Sequence, residues 1–333
     1  MPIRRKRKLS TENETLHAVE KTFSDDFSKR IDSIESAFHL KLPPDYVKFY
    51  QFCCDINVDD PLGAIEPATG LRLVGPFECL HQPPSTLSKG QFAQCYRYFH
   101  DPPEFITLLV GSDQLHFGCF RDLPSELPSA IVGFDPPSSG KMKIYATNLF
   151  YFLEHLLNAK PAKNIELLKK LKVFMQLHEF PETCSLSDLR KRRSKFVCPT
   201  LNTMGLLVDI KQDEIGYRPL SVSYEKLTSM LQRAVAANEQ EQLTKLEPID
   251  ELITYAQFAC DEGDYGQSIE LGLSMLAFTP KGMQDSKATV FNSRIKHLLS
   301  VGYQLAGRPE FATVITDHMN DRRVEPRRLL EQK

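Results

Sequence analysis

The sequence predicts an α+β fold: an N-terminal antiparallel sheet with flanking helices, followed by a mainly α-helical domain. Three observations carry this expectation. Two pairs of short apolar segments between residues 105 and 145 are each joined by a turn-forming stretch. Helical periodicity frames those segments on both sides. Beyond residue 200 the hairpin signals stop and helical spacing takes over. Strands collected in one stretch and helices in another are the α+β pattern.

Residues 1–26 form a polar tail that carries Arg4, Arg5, Lys6, Arg7 and Lys8 near its start. Such a run reads as a nuclear import signal or as a solvated disordered tail, and the two are compatible. The first domain is expected over 27–158. A helix starts near Phe27, with Ile31, Ile34, Phe38 and Leu40 at its apolar positions. After a break at Lys41-Leu42-Pro43, Pro44 suits the first turn of a second helix. Leu71 to Val74 makes a short strand closed by Gly75 and Pro76. Phe105 to Val110 and Leu115 to Phe120 flank Gly111-Ser112-Asp113-Gln114, a first hairpin. Ala130 to Phe134 and Lys141 to Tyr145 flank Asp135-Pro136-Pro137-Ser138-Ser139-Gly140, a second. Asn148 to Leu157 is helical and apolar. Residues 159–200 hold a helix, with Ile165, Leu168, Leu171, Phe174, Met175 and Leu177 at helical spacing, and then a connecting region from Pro181 to Pro199. The second domain, 201–322, carries helical signals at 223–237, 248–262, 265–278, 287–305 and 309–319, and 323–333 reads as a C-terminal tail.

Composition excludes several function classes. The 333 residues are 41% hydrophobic and 25% charged, which suffices for a core in each half. The net charge of −2 argues against direct nucleic-acid binding by the molecule as a whole. A mid-chain basic cluster, Arg190, Lys191, Arg192, Arg193 and Lys195, reads first as a solvated helix or loop face. No apolar run reaches ~18 residues, so no membrane-spanning helix is expected, and no secretory signal opens the chain. Eight scattered cysteines without a C-x-x-C spacing read as reduced thiols of an intracellular protein rather than a disulfide framework or a structural zinc site. His100, His297 and His318 have no visible nucleophile partner, and neither G-x-S-x-G nor G-x-G-x-x-G occurs.

The most informative segment runs from Pro248 to Gly266. Ile249, Leu252, Ile253, Ala256 and Cys260 mark one buried helical stripe. Pro248 suits the helix start, Gly263 the left-handed position after its end, and Asp264 the cap of the next helix. Asp261 and Glu262 then occupy the last turn, where carboxylates meet the negative end of the macrodipole. Three acids within four residues also repel one another. Both effects disfavour ionisation and would make a carboxylate a better general base at neutral pH. Solvated acids at a helix end are the bland alternative, and composition alone favours it, since the penalty at exposed sites is only ~0.3–1 kcal/mol.

This segment resembles the histone PARylation factor family. The matching stretches are Gln257-Phe258-Ala259, Asp261-Glu262, Asp264-Tyr265-Gly266 and Glu270-Leu271-Gly272. Gly205-Leu206-Leu207-Val208 and Gly216-Tyr217-Arg218 add to them. In the first half, Leu73-Val74-Gly75-Pro76, the run from Tyr98 to Phe105 and Gly118-Cys119-Phe120-Arg121-Asp122 also match. The resemblance covers about residues 30–320. It implies a catalytic cofactor that docks on the catalytic domain of a DNA-damage-activated poly(ADP-ribose) polymerase, completes a joint active site and directs ADP-ribose to serines of histones and other proteins. It implies Glu262 as the catalytic base and Asp261 as a second functional acid. Tyr217, Arg218, Glu214 and Asp264 are implied on the partner-binding side. NAD would be bound by the polymerase, with no cofactor held by this chain alone. A monomer in isolation, acting in the nucleus on chromatin at DNA lesions, completes the implied picture.

Two departures stand out. Glu214 sits where the family commonly carries Asp, and Gly263 where a larger residue can occur. Leu42-Pro43-Pro44-Asp45-Tyr46 also resembles the broad Smi1/Knr4-type module, which supplies the rival expectation of a non-catalytic protein-binding module. Arg218 reads as an anchor for a partner carboxylate, against an internal salt bridge as its structural alternative. For Tyr217, an aromatic contact and core packing compete equally.

Overall fold

A computed structural model describes residues 29–82, 92, 94–180, 187–211, 213 and 215–329. The basic tail and the expected helix start at Phe27 lie outside the described residues. Helix α1 covers 29–38, and Ile34, Phe38 and Leu40 are buried as the periodicity predicts. Helix α2, Pro44–Ile56, starts with proline in its first turn and buries Tyr46, Phe49, Tyr50, Phe52 and Cys53. Short helices α3, Glu66–Thr69, and α4, Pro76–His81, flank the two-residue strand β1, Arg72–Leu73. The two expected hairpins follow as β2, Phe105–Val110, with β3, His116–Phe120, and β4, Ala130–Phe134, with β5, Met142–Ala146. All five strands form one antiparallel meander in the order β1-β2-β3-β4-β5.

The sheet is covered on both faces, which explains its nearly continuous apolar strands. Phe117, Cys119 and Ile131 pack into the aromatic core of α2 and of α5, Leu149–Asn158. There Tyr46 stacks on Phe77 with ring centroids 4.1 Å apart, and Phe49 meets Phe150 edge-on at 5.3 Å. Helix α6, Pro161–Leu177, closes this core with Leu171 and Met175. Alternate residues Phe120, Ala130, Val132 and Phe134 face the other way, against Met204 and Leu189.

The connecting region holds a helix, α7, Ser187–Arg193. Its basic cluster is not uniformly solvated, a correction to the sequence expectation. Arg190, Arg193 and Lys195 are exposed, but Arg192 is buried. Its guanidinium grips Asp122 through two bonds of 2.6 and 2.7 Å and donates to the Met204 carbonyl at 2.7 Å. It also lies over Phe120 and Phe196. A run of like charges hides the one member whose partner is 70 residues away.

The helical half contains α8, Tyr224–Ala236; α9, Glu239–Asp261; α10, Tyr265–Leu276; α11, Asn292–Leu305; and α12, Pro309–Asn320. Helix α9 begins nine residues before Pro248, so that proline is internal and not at the start. The cap is Asn238, whose side chain accepts from the Glu241 amide at 3.0 Å. The first turns are polar nearly all round, which hides them from periodicity. Of the expected stripe, Ile249, Leu252, Ile253 and Ala256 are buried, while Cys260 is half-buried and Ala259 takes the inner position. Residues 285–291 form a 3₁₀ turn leading into α11, so the first residues of the helix expected over 287–305 are not α-helical.

Helix α10 is central, with Gly266 through Leu276 all buried. Several of its polar side chains find partners inside the protein: Gln267 donates to the Pro219 carbonyl at 2.8 Å and Ser268 to that of Leu298 at 2.9 Å. The two halves interlock. Tyr303 donates to the buried Glu104 at 2.5 Å, and Arg322 donates to the carbonyls of Phe99 and Leu276 at 2.8 and 3.1 Å. The C-terminal segment returns to the first core, where Leu329 is buried and the Arg327 carbonyl accepts from the Tyr96 amide at 2.8 Å.

Candidate functional site

The acidic junction is built by the end of α9 and the start of α10. Helix α9 stops at Asp261, with Glu262 as its cap residue. Gly263 turns the chain at φ +94°, a conformation that penalises a side chain. The Asp264 amide then closes the turn on the Ala259 carbonyl at 2.7 Å. Asp264 does not cap α10 with its side chain, contrary to the sequence expectation. That carboxylate instead reaches across to the 216–218 segment. One oxygen accepts from the Gly216 amide at 3.0 Å, and the other pairs with Arg218 at 3.1 Å.

Arg218 also pairs with Glu262. The internal ion pair weighed against an anchoring role is thus what the isolated chain contains. The hydrogen bond that Arg218 donates to Glu262 is the first cause that raises the Arg218 pKa above its ordinary value. The sequence opposes three acids to one another; the fold sets a cation among them. Both Glu262 and Arg218 remain about half exposed, so the pair is open to solvent and to exchange of partners.

Beneath this pair the 216–220 segment lies flat on α10. The Gly266 amide donates to the Gly216 carbonyl at 2.9 Å, and a Cβ on Gly266 would stand 2.9 Å from that same oxygen. Only glycine permits so close an approach. Tyr217 is packed against the helical core and donates to Glu270 at 3.0 Å, the structural member of the two roles open to it. Tyr224 donates to the other oxygen of Glu270 at 2.7 Å. Burial raises the Glu270 carboxyl above its ordinary value, raises both tyrosines, and pushes the Cys198 thiol up to about 11. Glu214 lies outside the described residues.

A groove of about 570 Å³ opens beside the acids, lined by Arg218, Leu220, Tyr255, Phe258, Asp261 and Glu262 among others. Leu252 and Gln267 are buried at its base. Tyr255 and Phe258 remain 48% and 56% exposed, which makes an aromatic rim one helical turn from the carboxylates. Neither aromatic carries a role in the sequence reading. The signal was present, since both fall off the buried stripe of α9. The site therefore joins Asp261, Glu262 and Arg218 on one rim, with buried Asp264 paired to Arg218 behind it and Tyr217 packed against the helical core.

Among the described residues, no group of three or more His, Cys, Asp or Glu side chains is arranged to hold a metal ion, and no helix is long and apolar enough to cross a membrane. Comparison with known proteins places this geometry in context. Residues 28–322 match the family model described as histone PARylation factor 1. The chain is 31% identical over 310 residues to histone PARylation factor 1 of Mus musculus, covering 88% of this chain and 86% of that protein. It is 30% identical over 305 residues to histone PARylation factor 1 of Danio rerio, covering 87% and 85%. A putative histone PARylation factor 1-like protein of Homo sapiens is 29% identical over 309 residues.

Proposed function

Since the chain belongs to the histone PARylation factor 1 family, we propose that it lends a carboxylate to the active site of a poly(ADP-ribose) polymerase and turns that enzyme toward serine. The observation that carries this reading is Glu262 at the mouth of an aromatic-rimmed groove, exposed and held by a single exposed cation. A carboxylate placed for solvent and partner access does little for stability at a helix C-terminus. It is well placed to take a proton from a weak nucleophile presented from outside.

Glu262 accepts the serine hydroxyl proton while the serine oxygen bonds to the anomeric ribose carbon of NAD. That second substrate, bound by the polymerase, supplies the electrophilic carbon and loses nicotinamide as the leaving group. Asp261, on the same rim, steers the acceptor. Arg218 exchanges its internal partner for a carboxylate of the polymerase, which both anchors the complex and frees Glu262. Asp264 keeps the 216–218 segment in register throughout. Histones are the acceptor proteins, and the setting is nuclear chromatin at DNA lesions.

The test combines purified polymerase, NAD, nicked DNA and a serine-containing histone peptide, with each variant at saturating concentration. Glu262→Gln is expected to bind the polymerase yet fail to support serine modification. Normal serine modification by bound Glu262→Gln would remove Glu262 as the base. A pure Smi1/Knr4-type binding module predicts that activity follows binding alone.

A further inference from the structure

We propose that Glu270 is a positioning residue: it fixes the 216–220 segment so that Arg218 stands opposite Glu262. The inference deepens the proposed function and rests on it for its consequence, though not for its geometry.

Glu270 is almost fully buried on central helix α10, at 4% exposure. A lone carboxylate there is costly unless every lone pair is used. The fold uses them on two separate pieces of chain: Tyr217, from the segment, donates at 3.0 Å, and Tyr224, from the first turn of α8, donates at 2.7 Å. Tyr217 and Pro219 bracket Arg218 in sequence, so α10 grips the segment on both sides of the guanidinium-bearing residue, through Glu270 on one side and Gln267 on the other. Asp264 holds the Gly216 amide and Gln267 the Pro219 carbonyl, both also from the start of α10.

An apolar contact of similar volume would serve stability as well or better, because replacing a buried charge by packed hydrophobes is often neutral or favourable. What such a contact lacks is direction. The Tyr217 phenol donating to the Glu270 carboxylate fixes the rotation of the segment, and hence the side on which Arg218 emerges. The direction matters because the Arg218–Glu262 pair is solvent-exposed and too weak to order the segment by itself.

The experiment reads Arg218 directly in the free, full-length protein. The arginine Nε–Hε signals are recorded by NMR, and the Arg218 signal is assigned by its loss in Arg218→Lys. Glu270→Gln keeps the side-chain shape and Tyr217→Phe removes one donor from the segment. Both are expected to shift this signal and to speed its exchange with water about tenfold, the factor that one lost hydrogen bond to a charged group carries. Tyr224→Phe removes a bond to the same carboxylate from α8 and is expected to leave the Arg218 signal in place. Titration with the activated polymerase follows, with affinity expected to fall in the first two variants and to hold in the third. An unchanged Arg218 signal in folded Glu270→Gln and Tyr217→Phe overturns the positioning role, as does an equal disturbance in Tyr224→Phe. A changed signal with unchanged polymerase affinity upholds the positioning and overturns the docking role of Arg218.

Discussion

Replacing Arg192 by alanine tests whether the mid-chain basic cluster is a structural clasp or a solvated face. The side chain is 8% exposed, bonded twice to Asp122 and once to the Met204 carbonyl, and sandwiched by Phe120 and Phe196. Arg192→Ala leaves the largely buried Asp122 without its cation and strands a carbonyl acceptor. Removing one partner of a buried pair costs ~3–5 kcal/mol. Asp122 retains some solvent contact, which places the expected loss near the lower bound, ~3 kcal/mol. At roughly 1.4 °C per kcal/mol for a chain of this size, the melting temperature should fall by about 4 °C. Scanning calorimetry measures it, with Arg190→Ala as the exposed control, expected to stay within ~0.5 kcal/mol of wild type. The double variant Asp122→Ala/Arg192→Ala should lose less than the sum of its singles, since both remove one interaction. Equal, small shifts for Arg192→Ala and Arg190→Ala would refute the clasp.

The remaining expectations follow from other parts of the molecule. Glu262→Gln should lower the serine-modification rate by ~10²–10⁴ at saturating polymerase, the range for a lost general base; a loss below tenfold in single-turnover assays would contradict the role. Arg218→Ala should abolish or strongly weaken polymerase binding with the melting curve unchanged, and undiminished binding in a direct titration would end the anchoring argument. Tyr303→Phe strands an oxygen of buried Glu104, so chemical denaturation should register a loss of ~1–3 kcal/mol. His318 is held well below its ordinary value of 6.5, first by burial and then by Arg97, Arg322 and His100. A depressed folded-state value means stability is present above pH 6.5 and lost as pH falls below it; the melting temperature should therefore drop on acidification from that point, His318→Gln should flatten the slope, and a pH-independent wild type would count against it.

The fold was legible where local pattern and tertiary burial agree. The two hairpins carry turn residues between β-rich runs, and the five-stranded meander places each beside its neighbour in sequence. Legibility failed where a segment's own composition says little. The first turns of α9 are polar nearly all round, so Pro248 drew the boundary although Asn238 is the cap. Helix α7 is short and charged, and only Asp122, far away in sequence, explains why Arg192 is buried while its neighbours are not.

For the candidate site the same distinction is sharper. Asp261, Glu262 and Asp264 are contiguous, so a helix end and a glycine turn gather them on sequence grounds alone. Arg218 is 44 residues from Glu262, and no spacing rule announces that they meet. The acids therefore look mutually repulsive in sequence, while in the fold Glu262 and Asp264 share an ion pair with Arg218. The aromatic rim follows from the same helix: once Ile249, Leu252, Ile253 and Ala256 define the inward stripe, Tyr255 and Phe258 must point elsewhere, and apolar rings facing solvent beside an acid imply a surface awaiting cover. Glu270 is the complementary case, the one charge within a buried, otherwise uncharged helix, whose presence signals buried donors without naming them. These features bear on one another physically. An exposed carboxylate kept on a cation is, on the proposed function, restrained from chemistry until a competing carboxylate arrives, and a segment fixed by Glu270 and Asp264 from below keeps that cation within reach of either partner. On the proposed function, docking and activation would then be one exchange at Arg218, so a variant that weakens the first should disturb the second unless binding is restored by concentration.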